Sequence, residues 1–250
     1  MAVTIKSARE IELMREAGKR LAHVHQELEA MIAPGISTWE IDAKGEKLIR
    51  DCGCIPNFLH YNGYPASICV SVNDEVVHGI PRKDRYLKEG DIVSLDAGLI
   101  YKGYHSDAAR THAVGKVSTE AQKLMDVTKQ SFFEGIKMAK EGQHLHDISR
   151  AIEEYVTPYG YGIVRDLVGH GIGTALHEDP QIPNYAQKRR GVRLQAGMTL
   201  AIEPMINAGT WQVRFLRDGW TVVTKDGSLS AHYENTILVT DGEPEILTLY

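Results

Sequence analysis

No apolar run in this chain approaches the roughly 20 residues of a membrane-spanning helix. The start, Met1-Ala2-Val3-Thr4-Ile5-Lys6, lacks the apolar core of a secretory signal. The expected location is therefore cytoplasmic, with no membrane partner. Cysteine is scarce: Cys52, Cys54 and Cys69 are the three present. They are too few for a disulfide framework, and Cys52-Gly53-Cys54 is too tight for an ordinary zinc knuckle without two further soft ligands. All three read as reduced thiols. Basic charge is in deficit, since Lys and Arg number 28 against 33 Asp and Glu, so no electrostatic footprint for nucleic acid is present. No linker or low-complexity tract divides the chain. Its 250 residues read as a single domain, 1–250, long enough to bury about three-quarters of its unfolded surface.

What is present is a repeated plan. Ser7-Ala8-Arg9-Glu10 forms a capping box, and Ile11, Met14, Ala17, Leu21, Val24, Leu28 and Met31 recur at helical spacing until Pro34-Gly35. A second capping box, Ser37 to Glu40, opens a shorter helix to about Asp51, and Ile68–Val72 reads as a strand. The second half repeats this order, with a long helix near Thr119–Lys140, a shorter one near His146–Thr157 and then strands. Gly35 and Gly142, Ile41 and Ile148, Leu87 and Leu194, and Gly90 and Gly197 are each 107 residues apart. The same offset maps Asp96 onto Glu203. Two helix-helix-strands halves, about 1–115 and 116–250, are expected to close around a shared cleft.

The stretch from Gly90 to Gly115 reads as a hairpin around Tyr101-Lys102-Gly103. With the turn centred between 101 and 102, Asp96 faces Asp107, give or take one position. Opposed carboxylates on a half-buried sheet are destabilising unless something compensates them, and a bound cation does so. A shifted register would instead leave the two aspartates solvated on opposite faces. In the second half Ser228–Val239 reads as the return strand, so Glu234 stands to Glu203 roughly as Asp107 stands to Asp96. Four carboxylates in one cleft call for about two divalent cations, a pairing that in hydrolases activates a bridging water and clamps a tetrahedral intermediate. His170, between Gly169 and Gly171, is the best imidazole candidate, because its neighbouring glycines permit close approach; a structural histidine is the competing reading. His23, His25, His144 and His146 read as surface or cap residues.

The ordered set Asp96, Asp107, His170, Glu203 and Glu234, together with His78-Gly79-Ile80-Pro81, Gly169–Gly173, His177-Glu178 and Ile202-Glu203-Pro204, resembles the type I methionine aminopeptidases in their short bacterial form. The resemblance runs over nearly the whole chain. It implies an α+β pita-bread fold, with pseudo-twofold halves around an antiparallel sheet and a central cleft. It also implies a dinuclear metal centre that removes the initiator methionine from nascent proteins when the second residue is small. Manganese, iron(II), cobalt and zinc all suit four carboxylates and one imidazole.

By the same resemblance Asp96 is a terminal ligand of one metal, His170 a ligand of the other, Asp107 and Glu234 are bridges, and Glu203 is a ligand that also relays protons. His78 and His177 hydrogen-bond the scissile amide; read without the family, each is a structural histidine. Phe58, Tyr61, Tyr64, Cys69, His78, Leu176, His177 and Trp220 surround the methionine side chain, and core packing is the other reading of Tyr61, Tyr64 and Trp220. The sequence departs from the family's usual pattern with Phe58, where a small residue is common, and Asn235, where His commonly follows the last ligand. The implied partners are nascent polypeptide N-termini and the ribosome, with the protein a monomer. Prolidases and aminopeptidases that act before proline share this fold, as do non-catalytic binding modules; the intact ligand set argues against the modules.

Overall fold

Both predicted capping boxes form. The Ser7 and Ser37 hydroxyls accept from the backbone N–H groups of Glu10 and Glu40, whose carboxylates accept the Ser7 and Ser37 backbone N–H groups in return. These caps start helices α1 (Ala8–Glu29) and α2 (Thr38–Asp51) in the computed structural model, which describes residues 3–249. Met1, Ala2 and Tyr250, included in the single-domain reading, lie outside the described residues. Helix α3 spans Thr119–Ile136 and α4 Leu145–Val156. Helix α3 is shorter than the expected Thr119–Lys140, because turn-type hydrogen bonds from Met138 to Gly135 and from Ala139 to Ile136 replace the helical pattern.

The strands are β1 (Ile55–Pro56), β2 (Ile68–Val72), β3 (Glu75–Val77), β4 (Ile92–Tyr101), β5 (Tyr104–Ala113), β6 (Gly162–Ile163), β7 (Gly169–Gly171), β8 (Glu178–Ile182), β9 (Thr199–Ile202), β10 (Met205–Asn207), β11 (Val213–Phe215), β12 (Val222–Thr224), β13 (Ser230–His232), β14 (Glu234–Leu238) and β15 (Glu245–Ile246). The main sheet is antiparallel and runs β1-β4-β5-β14-β9-β7-β8, with β2 also on β4 and β15 on β14. At its centre β5 meets β14, one strand from each half of the chain. Strands β4 and β9 begin at Ile92 and Thr199, which are 107 residues apart.

Tyr101 pairs with Tyr104, so the hairpin turns on Lys102 and Gly103 alone, both at positive φ (49° and 86°), as a two-residue primed turn requires. Paired positions therefore sum to 205: Asp96 faces Ala109, Asp107 faces Gly98, and the two aspartates are diagonal neighbours. A slip of two residues preserves the face of every side chain, so Asp96 and Asp107 still share one side of the sheet. Nor is Ser228–Val239 one continuous strand. The Tyr233 N–H leaves the ladder to donate to the Pro204 carbonyl, which separates β13, paired with β10, from β14 in the main sheet.

Alternation along the strands sorts the two faces. Val93, Leu95, Ala97 and Leu99 of β4 and Ala108 of β5 pack with Leu21, Val24 and Leu28 of α1 and with Ile41 and Ile49 of α2. In the second half Leu200, Ile202 and Ile237 pack with Leu124 and Phe132 of α3 and with Ile148 and Ile152 of α4. Helices thus cover one face, and Asp96, Asp107 and Glu234 alternate onto the other. His25 belongs to the covered side: it is 2% exposed, with Nε2 2.9 Å from the Ala108 carbonyl. That corrects its reading as a surface residue. His23 is exposed, and His144 and His146 sit at the start of α4 as expected, His146 Nδ1 2.6 Å from the Arg189 carbonyl.

Candidate metal centre and substrate pocket

Register alone assembles the carboxylates. Asp96 on β4 pairs with Ala109 on β5, which pairs with Glu234 on β14. The β14–β9 register, continued one residue beyond Ile202, brings Glu203 to Glu234. In the adjacent row Asp107 lies beside Thr236, whose hydroxyl accepts the Asp107 N–H at 3.1 Å and donates to the Asp107 carbonyl at 2.8 Å. His170 on β7 pairs with Ala201, two residues before Glu203. All five expected ligands therefore reach one place.

The glycines beside His170 act as expected. A Cβ on Gly169 would meet the Ala201 carbonyl oxygen at 2.5 Å, and one on Gly171 the Asp179 carbonyl oxygen at 2.3 Å. His170 Nδ1 lies 2.9 Å from the Gly171 carbonyl, so it carries the proton and donates. Nε2 is left bare toward Asp107 Oδ2 at 3.9 Å and Glu203 Oε1 at 3.6 Å. Fixing one ring nitrogen by a backbone carbonyl while the other faces carboxylates is the orientation a metal-ligating histidine needs.

The electrostatics are those of a site built for positive charge. Burial pushes the Asp96 carboxyl up to about 7. It drives Asp107, Glu203 and Glu234 well above the ordinary carboxylate range, with the neighbouring carboxylates adding to the shift. Burial, and then the charge on His177, hold His170 down to about 3. Asp96 Oδ1, Asp107 Oδ1 and Glu234 Oε1 are buried with no hydrogen-bond partner among the described residues. Orphaned acceptors of this kind are unfavourable, and a divalent cation would satisfy them. Two donor sets have all their atoms within 4.8 Å of one another: Asp107, His170 and Glu234, and also Asp96, His232 and Glu234. Glu234 belongs to both. The residues fit a metal centre.

His232 is the member that the sequence reading missed. Its position two residues before Glu234 was the available signal, obscured because Ser228–Val239 reads as one uninterrupted strand. Asn235, noted as a departure, points to the helix side. Its Oδ1 accepts from Arg110 at 2.6 Å and from the Thr248 hydroxyl at 2.8 Å, while Arg110 also donates to the Glu234 carbonyl. It braces the strand that carries the ligand.

The carboxylates form one end of a cavity of about 280 Å³. Phe58, Tyr61, Tyr64, Cys69, His78, Leu176, His177 and Trp220 all line it, with Val168 and Met205 as walls not anticipated. Tyr64 meets Trp220 edge-on at 5.1 Å and donates its hydroxyl to the Gly79 carbonyl at 2.9 Å. Asp218 places Trp220 by accepting the Trp220 and Thr221 N–H groups, both at 2.9 Å. Cys69 pairs with Asp96 in the β2–β4 ladder, which puts the pocket wall next to the carboxylates. Its thiol is pushed well above the ordinary range, first by burial and then by the Asp96 charge, so it remains protonated.

The two histidines outside the ligand set both line the cavity. His177 lies 4.3 Å from His170 between ring centres, and the Tyr61 hydroxyl is 2.8 Å from its Nδ1. His78 adopts φ 59°, a left-handed conformation rare for a non-glycine residue and typical of functional sites. Burial and the charge of His177 lower it to about 4.

A cleft that joins buried acidic donors and imidazoles to an apolar recess defines a metal-dependent hydrolase, and sequence comparison agrees. Residues 12–241 match metallopeptidase family M24, and the chain belongs to that family. It is 54% identical over 247 residues to a methionine aminopeptidase of Clostridium acetobutylicum, covering 99% of each chain. A crystal structure of methionine aminopeptidase from Thermotoga maritima superposes with a TM-score of 0.97 at 46% identity over the whole of both chains. These are proteins of the pita-bread fold. Prolidase from Pyrococcus furiosus, 24% identical with a TM-score of 0.78 over 98% of this chain and 65% of its own, shares the fold alone. Family membership carries the use of divalent metal. Among the described residues no helix is long and apolar enough to cross a membrane.

Proposed function

We propose that this chain is an aminopeptidase that hydrolyses the bond after an N-terminal methionine, with two divalent cations bound in the cleft. The observation that carries the reading is the single cavity in which the acidic donors meet an apolar recess walled by aromatic rings and the Cys69 thiol, surfaces suited to a polarisable thioether. Relatives of full length at about half identity support it. One catalytic domain over 1–250, acting as a monomer in the cytoplasm on nascent polypeptides near the ribosome, completes the proposal.

Asp96 would hold one cation at the β4 side and His170 the other, with Asp107 and Glu234 between them and Glu203 alongside. Divalent ions held there would supply Lewis acidity and lower the pKa of a bound water. Manganese, iron(II), cobalt and zinc all suit these donors. Glu203, 13% exposed in its side chain, would take a proton from the attacking water and return it to the leaving amine. His78 and His177 donate hydrogen bonds to the scissile amide as charge develops on it. Phe58, Tyr61, Tyr64, Cys69, Leu176 and Trp220 receive the methionine side chain and exclude water. A substrate amino group held against the carboxylates leaves little room beside the bond, so the second residue must be small.

Turnover of Met-Gly-Ser, Met-Ala-Ser, Met-Leu-Ser and Ala-Pro-Ala by chelated protein refilled with one metal at a time tests this. Cleavage of the first two, at least tenfold slower cleavage of the third and none of the last is expected. Equal rates for Ala and Leu at the second position would remove the steric argument, and preference for Ala-Pro-Ala would move the chain among the proline-directed enzymes.

A further inference from the structure

His232 takes no part in the reaction described above, yet it is almost wholly enclosed beside the carboxylates. The residue is 1% exposed, and among the described residues neither ring nitrogen has a hydrogen-bond partner. Its backbone is held from both sides by one hydroxyl: Thr111 Oγ1 accepts the His232 N–H at 2.8 Å and donates to the His232 carbonyl at 2.9 Å. Pairing with Met205 ties it to the strand just after Glu203. The position of the ring is thus dictated by the main chain, while its nitrogens are left unsatisfied.

The nitrogens face the carboxylates. His232 Nε2 lies 3.7 Å from Glu234 Oε2 and 3.9 Å from Glu203 Oε2. Both distances are too long for hydrogen bonds. Two donors each bonded to a common ion at about 2.0–2.2 Å stand about 3–4 Å apart. The spacing also matches His170 Nε2, at 3.6 and 3.9 Å from its own carboxylate neighbours. His232 completes a donor set with Asp96 and Glu234, as His170 does with Asp107 and Glu234.

We propose that His232 is a metal-ligating residue, its Nε2 bonding the cation on the Asp96 side, so that each of the two metal positions has its own imidazole. The proposal rests on the metal centre proposed above and adds a sixth side chain to it. One consequence is metal selectivity. An extra nitrogen donor strengthens the site for cobalt and zinc more than for manganese, because imidazole suits the former and oxygen donors the latter.

The test is proton NMR of the chelated protein refilled with Co(II), which shifts the exchangeable imidazole N–H signals of every coordinated histidine far outside the normal range. Two such signals are expected at two equivalents of Co(II). His232→Gln should keep one, His170→Gln the other, and calorimetric titration of His232→Gln should show one of the two Co(II) sites weakened at least tenfold, with a smaller change for Mn(II). A single shifted signal at full loading of the unmodified protein overturns the proposal, and that count stands even where His232→Gln fails to fold. Failure to bind Co(II) at all would instead overturn the metal centre itself.

Discussion

The two halves of the sheet deliver their carboxylates by different routes. In the first, β4 and β5 are joined by two residues and paired along their full ten-residue length, so Asp96 and Asp107 are fixed relative to each other by a continuous ladder. In the second, β9 ends at Ile202 and β14 begins at Glu234. The chain between them builds β10 to β13 and returns with Met205, Trp220 and His232. The first half is a rigid anchor. The second keeps the same strand positions and uses the excursion to wall the pocket and to bring in an additional imidazole. A common scaffold with one loop enlarged can thus separate holding the charge from shaping the substrate site.

Substitutions at the second half's functional side chains should be the most damaging to turnover. Glu203→Gln retains the fold but cannot carry a proton and ligates weakly, so kcat should fall by about 10²–10⁴-fold; activity within about tenfold of the unmodified enzyme would remove the assigned role. His177→Ala should lower kcat by about 10–100-fold with KM changed much less, as expected for a contact that strengthens in the transition state. A change confined to KM would make His177 a ground-state contact.

The two halves should also differ in how they tolerate added volume. A methyl at Gly171 would meet the Asp179 carbonyl oxygen at 2.3 Å, whereas one at Gly98 would meet the Asn57 side chain at 2.2 Å. Backbone cannot yield as a side chain can, so Gly171→Ala should cost about 2–3 kcal/mol and Gly98→Ala nearer 1 kcal/mol, measured by urea unfolding. The reverse order would mean that β7 is the more compliant strand.

Much of this was legible in the sequence, for physical reasons that can be named. The 107-residue offset linked Glu203 to Asp96, and both capping boxes fixed where the helices of the first half begin. The hairpin register was misread by two because Lys102 and Gly103 alone make the turn, yet the shared face of Asp96 and Asp107 survived, since a strand repeats every two residues. The break at Tyr233 depends on a hydrogen bond to Pro204, a long-range event that local pattern does not encode, and His232 was lost with it. His25 was misplaced because helix spacing shows which residues share a face but not that Ala108 lies against it. The pocket aromatics came from family resemblance; their own spacing would equally fit a core.

The cleft gathers carboxylates that repel one another until a cation is bound. Burial keeps Asp96 protonated up to about pH 7 and holds Asp107, Glu203 and Glu234 well above their ordinary range, whereas in the unfolded chain such groups ionise near pH 4. The folded metal-free protein thus binds more protons than the unfolded chain, and its stability should fall as pH rises from about 4 through 7 and above. His170 and His232, lowered to about 3 chiefly by burial, act in the opposite sense between about 3 and 6.5, so the decline is cleanest above pH 6.5. A cation at a hundredfold excess over Kd returns about 2.7 kcal/mol, about 5–10 °C in Tm for a chain of this size. Protons compete with it, so the gain shrinks toward acid. The decisive measurement is Tm with and without chelator at pH 8 and pH 6, with Asp107→Asn alongside. A larger chelation loss is expected at pH 8 than at pH 6, and a chelated Asp107→Asn protein should be more stable at pH 8 than the chelated parent. An unchanged Tm at pH 8 after metal is shown to have been removed would contradict the mutual repulsion of the carboxylates.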